Sequence, residues 1–234
     1  MPRVSGVSRE DLRRIPLFRD LEPGALESMA AMARVRHCPP RDTVVTEEAP
    51  ADGLYLITRG RASVSVAGRD GAALTIGELG VGEIIGEISL LDGGTASATV
   101  TALTPLELIA IDRDGFLRLL DRHPRVAVSL LPVLAKRLRR LTRWADDLAA
   151  LPVPSRLAKC LIALVAEHGQ QIGARRIRLG VRLSQQDLGM RIGVTRESIN
   201  KHMRRWEQVG ILLREAGHLV VTDVDKLTSL AAGD

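Results

Sequence analysis

Residues 184–206 read SQQDLGMRIGVTRESINKHMRRW. Ser184, followed three residues later by Asp187, has the form of a capping box that opens a short helix, with an acid near the positive helix end. Leu188 and Ile192 make the inner face of that helix, and Gly189 is small where a second helix can approach closely. Gly193 suits a left-handed turn residue, and Thr195 can cap the helix that follows. In that second helix Ile199, Met203 and Trp206 recur at i, i+4 and i+7 and are expected in the core. Arg196, Asn200 and Arg204 recur at i, i+4 and i+8, with Glu197 and Lys201 beside them, and make a polar outer face. Two helices joined by a glycine-containing turn form the helix-turn-helix pattern. An outer face rich in donors can meet base edges, because Arg bonds guanine O6 and N7 in bidentate fashion and Glu accepts from cytosine N4. The expected DNA-binding set is Gln185, Thr195, Arg196, Glu197, Asn200, Lys201 and Arg204. Beyond it, Ile211–Arg214 and His218–Thr222 flank Glu215-Ala216-Gly217 and read as a β-hairpin wing turned at Gly217.

Charge distribution agrees with a polyanion partner for this region. Residues 1–151 hold 20 Lys/Arg against 20 Asp/Glu, whereas residues 152–234 hold 13 against 8, so the whole net charge of +5 lies in the C-terminal third. With only two Phe, two Trp and one Tyr, the core must be aliphatic, and single-strand binding on stacked aromatics is disfavoured. Cys38 and Cys160 are too few for a four-thiolate zinc or iron–sulfur site, and a disulfide between them is improbable in a reducing compartment. No metal site is expected; His37-Cys38 is the one tempting haem-ligand pair, and an incidental pair is the commoner reading. The N-terminal residues lack the apolar run of a signal peptide, and no stretch has the ~20 apolar residues that span a bilayer, so a cytoplasmic protein without a membrane partner is expected. No nucleophile or zinc-protease signature occurs, so no catalytic residue is assigned.

Residues ~34–112 carry short apolar, β-branched runs ended by glycine or proline: 43–46, 54–58, 62–66, 73–79, 98–102 and 106–111. Their spacing predicts an antiparallel barrel or sandwich. Alternation from Arg61 to Val66 predicts one buried face. A short helix around Phe116–Leu120 ends near His123-Pro124, and a longer helical pattern runs on to Leu151. Leu130, Leu134, Leu141, Trp144 and Leu148, together with Arg137, follow a 4-3 spacing that predicts a coiled-coil dimer seam, with Leu131, Leu138 and Ala145 turned towards the barrel. The alternative is a single amphipathic helix packed on its own domain. Pro132 is expected to kink or restart the helix. Pro152-Val153-Pro154 ends it and reads as an interdomain hinge, followed by a helix from Ser155 to about His168.

Taken together, the glycine-punctuated barrel, the seam helix, the hinge and VTRESINK at 194–201 resemble the Crp–Fnr family of transcription regulators over about residues 15–232. Within the barrel, DGLYLI at 52–57 with Gly60, and LGVGEIIGEISLLDG at 79–93, carry the resemblance. It implies an α+β architecture: an effector-binding cyclic-nucleotide-binding jelly roll at 1–123, a dimerisation helix at 124–151 and a winged helix-turn-helix domain at 152–234. It also implies a parallel homodimer on a palindromic double-stranded DNA operator, with RNA polymerase as a further partner. The implied effector site comprises Gly86, Glu87, Ile88, Ser97, Ala98 and, from the seam helix, Thr142, with cyclic AMP and cyclic GMP as candidate effectors; cyclic di-GMP bound elsewhere, a different effector or no effector at all are the alternatives. In the family's nucleotide binders, Glu holds the ribose and an Arg-Ser pair grips the phosphate. Here Ala96 stands at the Arg position, ahead of Ser97. Losing a charge-assisted pair of that kind costs about 2–5 kcal/mol. The alternative function is a cyclic-nucleotide-responsive regulatory subunit that acts through protein partners.

Overall fold

Side-chain alternation along extended backbone builds the N-terminal half. The structure, a computed structural model, describes residues 7–50, 52–68, 73–173 and 175–233. The outer limits expected for the first and last domains, 1 and 234, lie outside the described residues. Strands β1 (Arg34–Cys38), β2 (Thr43–Val45), β3 (Gly53–Arg59), β4 (Ala62–Ala67), β5 (Ala73–Leu79), β6 (Ile84–Ile85), β7 (Thr99–Ala102) and β8 (Leu106–Asp112) form two four-stranded sheets, β1-β8-β3-β6 and β2-β7-β4-β5. These are the sheets of a jelly roll. Tyr55 and Ile57 of β3, Leu106 and Leu108 of β8 and Ile85 of β6 meet Val44, Ala62, Leu79, Val100 and Ala102 of the other sheet. The opposite faces of the same strands, at Leu54, Leu56, Ile84, Ile109 and Ile111, pack under a layer of helices. Strand β3 is therefore buried on both faces, which accounts for its unbroken apolar run.

Helices α1 (Arg9–Arg13) and α2 (Pro23–Met32), with a 3-10 turn at Pro16–Phe18, bring Leu12, Phe18, Leu26 and Met29 into that second core. Helix α3 (Glu87–Asp92) follows β6 directly. The side chain of Asp112 caps α4 (Arg113–Arg122) by accepting from the Gly115 amide at 2.8 Å. On β1, Cys38 points into the sandwich and His37 to solvent, so adjacent alternation keeps that pair from converging on one ligand. Cys38 and Cys160 are both free thiols. Burial, with Glu167 adding to it, pushes the Cys160 thiol up to about 12, which leaves it protonated and inert.

Helix α5 (Arg125–Ala150) corrects two expectations. It continues through Pro132 rather than restarting there. The carbonyl that Pro132 cannot satisfy belongs to exposed Val128, where water can take over the lost bond. The second correction concerns the seam. Leu130 is only 1% exposed and packs with Val126, Phe116 and Leu119 in the barrel's own core, so it is not open to a partner. Leu131 and Leu138, expected against the barrel, are 60% and 67% exposed, and Val128 is 61% exposed. A leucine-rich helix carries two overlapping 4-3 stripes, and the neighbouring helices decide which one turns inward. Leu134, Leu141, Trp144 and Leu148 are half-buried.

Among the described residues the chain divides into two compact units, one within Met1–Gly71 and Ile76–Arg140 and the other within Ala72–Thr75 and Leu141–Asp234. That division falls inside α5, not at the proline pair. In the second unit Pro152 is the N-cap of α6 (Val153–His168). Next come β9 (Gly169–Gly173), β10 (Arg176–Leu179), α7 (Gln185–Ile192), α8 (Arg196–Gln208), β11 (Leu212–Glu215), β12 (His218–Val221) and α9 (Val224–Ala232). Sheet order is β11-β12-β10-β9, so the wing hairpin is half of a larger sheet whose β9–β10 half the sequence did not signal. Ala216 and Gly217, both at positive φ, make the two-residue turn of the wing, with Glu215 opposite His218. Leu157, Leu161, Leu188, Ile192, Ile199, Met203, Trp206, Leu212 and Leu227 form one core under these elements, with the exposed strand β9 outside it. No helix among the described residues is long and apolar enough to cross a membrane.

Candidate nucleic-acid interface and effector cleft

Helix α7 begins at a complete capping box: the Ser184 hydroxyl accepts from the Asp187 amide at 3.1 Å, and the Asp187 carboxylate accepts from the Ser184 amide at 2.7 Å. The helix ends on Gly193 at φ 71°. Thr195 caps α8, its hydroxyl accepting from the Ser198 amide at 3.3 Å. A Cβ on Gly189 would lie 2.6 Å from the Val194 carbonyl oxygen, so the crossing of the two helices depends on a residue without a side chain. Ile199, Met203 and Trp206 are buried, as their spacing predicts. Thr195, Arg196, Glu197, Lys201 and Arg204 are exposed on the opposite side. Gln185 and Asn200 are half-buried and bonded to each other: Gln185 Nε2 donates to Asn200 Oδ1 at 3.3 Å. Those two residues therefore hold α7 against α8 as well as bordering the polar face. His202, half-buried between Lys201 and Arg205, has its pKa lowered by burial and by those two cations, so its imidazole is neutral at pH 7. The positive charge of this face is carried by Arg and Lys alone.

A second arrangement lies in the barrel. A cleft of about 40 Å³ is lined by Val45, Gly86, Glu87, Ile88, Ser89, Ala96, Ser97, Ala98 and Arg137. Five of the six expected effector residues line it; Thr142, exposed on α5 beyond Arg140, does not. Gly86 turns the chain from β6 into α3 at φ +90°, where an added Cβ would meet the Gly53 carbonyl oxygen at 2.5 Å. Glu87 follows it, with a side chain only 1% exposed. Ala96 is held by backbone bonds, its amide donating to the Ala49 carbonyl at 2.9 Å and its own carbonyl accepting from the Glu48 amide at 2.8 Å.

The residue that sequence reading missed here is Arg137. Its guanidinium pairs with the Glu87 carboxylate and donates to the Ile84 carbonyl oxygen at 2.9 Å. The 4-3 pattern placed it on the dimer seam. A charge interrupting an apolar stripe was the available signal, because an Arg there needs a carboxylate partner. Nearby, Tyr55 donates to Asp52 at 2.7 Å and lies under the Arg36 guanidinium, 5.3 Å from the ring centre. Burial, with help from Asp52, pushes its phenol up to about 12.

Both halves of the chain resemble known proteins. Residues 35–123 match the cyclic nucleotide-binding domain, and residues 155–230 match the Crp-like helix-turn-helix domain. The chain is 29% identical over 222 residues to a CRP-like cAMP-activated global transcriptional regulator of Mycobacterium tuberculosis, across 95% of this chain and 99% of that protein. It is 28% identical over 218 residues to a cyclic AMP receptor protein of Thermus thermophilus, across 93% and 97%. Among solved structures, the c-di-GMP responsive global regulator CLP of Xanthomonas campestris is similar at a TM-score of 0.76 and 27% identity, across 86% of this chain and 99% of that one. These likenesses favour DNA as the target of the C-terminal unit over protein partners alone.

Proposed function

The chain is a member of the Crp–Fnr family of transcription regulators, and from that premise we propose that it acts as a homodimer on a two-fold palindromic operator, with the barrel as its regulatory input. The observation that carries this reading is the divided surface of α8, with Ile199, Met203 and Trp206 buried and Arg196, Glu197, Lys201 and Arg204 facing out. Helix-turn-helix dimers set two such helices in successive major grooves, so the half-sites should lie about 34 Å apart. Arg196 and Glu197, at the N-terminal end of α8, read G·C pairs; Lys201 and Arg204 assist or hold phosphate. Gln185, Thr195 and Asn200 border this face. The DNA-binding domain is 152–234, the barrel of 1–123 is the effector domain, and RNA polymerase in the cytoplasm is the partner of the bound dimer.

Site selection from randomised duplexes tests the proposal and should return a palindrome. On that site, Arg196→Ala is expected to cost about 1–3 kcal/mol, or about 5- to 150-fold, with relaxed preference at one G·C position. Equal affinity of the unmutated protein for the selected duplex and a scrambled one would overturn it.

Dimerisation is assigned to the exposed stripe Val128, Leu131 and Leu138 of α5. Burying a Leu side chain yields about 1.5–3 kcal/mol, so Leu138→Lys should weaken the dimer at least about tenfold in sedimentation equilibrium. An unchanged dimer would move the interface elsewhere.

For the effector domain, cyclic AMP, cyclic GMP and cyclic di-GMP are the candidates, since the relatives include a cAMP-activated and a c-di-GMP responsive regulator. Ala96, which leaves the cleft without a phosphate-gripping guanidinium at that position, weighs against the two mononucleotides.

A further inference from the structure

The barrel has a second, larger hollow at the open end of its sandwich, and strand register sets it out. Arg34 of β1, Ala110 of β8 and Tyr55 of β3 stand in one row, and Asp112 of β8 stands opposite Gly53 of β3 in the next. Side chains paired across strands share a face, and Tyr55 and Ala110 place this one on the inside of the sandwich. Deeper in, the same face is apolar at Ile57 and Leu108; at its end it turns ionic. Ala110 and Gly53, the smallest residues of the two rows, make a floor, and Met32, Arg34, Asp52, Tyr55 and Asp112 stand around it. The hollow measures about 410 Å³ against about 40 Å³ for the cleft at Glu87, and falls inside the roughly 300–1,000 Å³ of ligand pockets.

Its polar groups are held in place and complementary. Tyr55 donates to one Asp52 oxygen at 2.7 Å, and one Asp112 oxygen accepts from the Gly115 amide at 2.8 Å. The second oxygen of each carboxylate takes no hydrogen bond among the described residues. The Arg113 amide donates to the Asp52 carbonyl at 3.2 Å, which keeps the two acids at the same end. Arg34 is exposed and has no ion pair among the described residues, while Arg36 is engaged over the Tyr55 ring. One forked donor and two free carboxylate oxygens thus border a single hollow. A ligand that matches them carries neighbouring acceptors on one edge and neighbouring donors on another. Guanine does so: O6 and N7 accept from an Arg fork, and N1–H with the 2-amino group donates to carboxylate. Adenine has an amino group where guanine has O6, and would set N–H against the guanidinium.

We propose that this hollow binds the base of a guanine nucleotide, with Arg34 donating to O6 and N7 and with Asp52 and Asp112 accepting from N1–H and the 2-amino group. The base can come from cyclic di-GMP or from a free nucleotide such as GTP. Asp112 also caps α4, whose Phe116 and Leu119 pack with Val126 and Leu130 of α5, so an occupant acts on the start of a helix that abuts α5. The proposal deepens the reading of the barrel as regulatory input and rests on that reading. Its tests use no DNA, so they stand or fall separately from operator recognition.

Calorimetric titration of the full-length protein compares cyclic di-GMP with cyclic di-AMP, and GTP with ATP. At least one guanine member should bind with a dissociation constant below about 1 mM and at least about tenfold tighter than its adenine counterpart. The tighter of the two guanine members identifies the source of the base. On adding it, hydrogen exchange should slow at residues 53–55 and 110–116 and stay unchanged at 86–98. Arg34→Gln and Asp112→Asn should each weaken binding by about tenfold without moving the thermal midpoint, since Asn serves as an N-cap as well as Asp does. Equal affinity for guanine and adenine counterparts would overturn the proposal. So would the absence of guanine-nucleotide binding below about 1 mM, protection confined to 86–98, or wild-type affinity in both variants.

Discussion

Arg137→Ala should lower the thermal unfolding midpoint by about 6–20 °C. Removing one partner of a buried ion pair leaves the other charge uncompensated and typically costs about 3–5 kcal/mol. For a chain of this length about 2–4 °C is lost per kcal/mol. Glu87 would be the orphan, with its side chain 1% exposed and the guanidinium gone. The Ile84 carbonyl would lose its donor in the same step. The double variant Arg137→Met with Glu87→Met removes both charges and keeps much of the volume, so it should recover most of the loss. Circular dichroism melts of Arg137→Met, Glu87→Met and the double variant close the cycle and isolate the coupling. A shift below about 2 °C for Arg137→Ala would mean that solvent already screens the pair.

Gly189→Val should abolish specific DNA binding while leaving the barrel folded. The first atom added at this position would sit 2.6 Å from the Val194 carbonyl oxygen, which is backbone and cannot rotate away. For Gly189→Ala, a gain in helix propensity of up to about 1 kcal/mol opposes the clash, so the alanine variant is the weaker test. Valine adds two methyl groups to the same contact and lacks much of that gain. Overpacking of this kind costs about 1–3 kcal/mol and is relieved by moving α7 away from α8. The Gln185–Asn200 bond, at 3.3 Å, would break with that movement. Affinity for the selected operator should fall towards the non-specific level, about 10³-fold or more. Fluorescence anisotropy on operator and scrambled duplexes measures this, and the Val variant should still sediment as the wild type does. Retained operator affinity would show that the helix pair tolerates a wider crossing than its glycine implies.

The two sites were legible in the sequence to different degrees. The recognition unit is encoded almost entirely in local signals. A capping box at Ser184, a left-handed glycine at 193, a cap at Thr195 and a 3.6-residue stripe of Ile199, Met203 and Trp206 each act over a few residues, and each appears in the structure. The jelly roll was visible for the same reason, since strand alternation and glycine breaks are local. What the sequence left unmarked was short or supported from afar: the N-terminal helices around Leu12 and Leu26, strand β1, and the β9–β10 hairpin with its polar, exposed first strand. Segments this brief carry too few apolar repeats to show a period.

By itself, the sequence determined two facing sheets, a long helix with more leucine than one face needs, and a basic helix pair with one wet side. Tertiary structure alone decided which leucine stripe of α5 turned indoors, and that Arg137 left the seam to meet Glu87. Both outcomes have one cause. A helix repeats its pattern every few residues and cannot by itself distinguish two stripes offset by a residue or two. Packing with α2 and α4, which covers Leu130, and the buried carboxylate that α3 presents at Glu87, all contributed by distant parts of the chain, broke that tie.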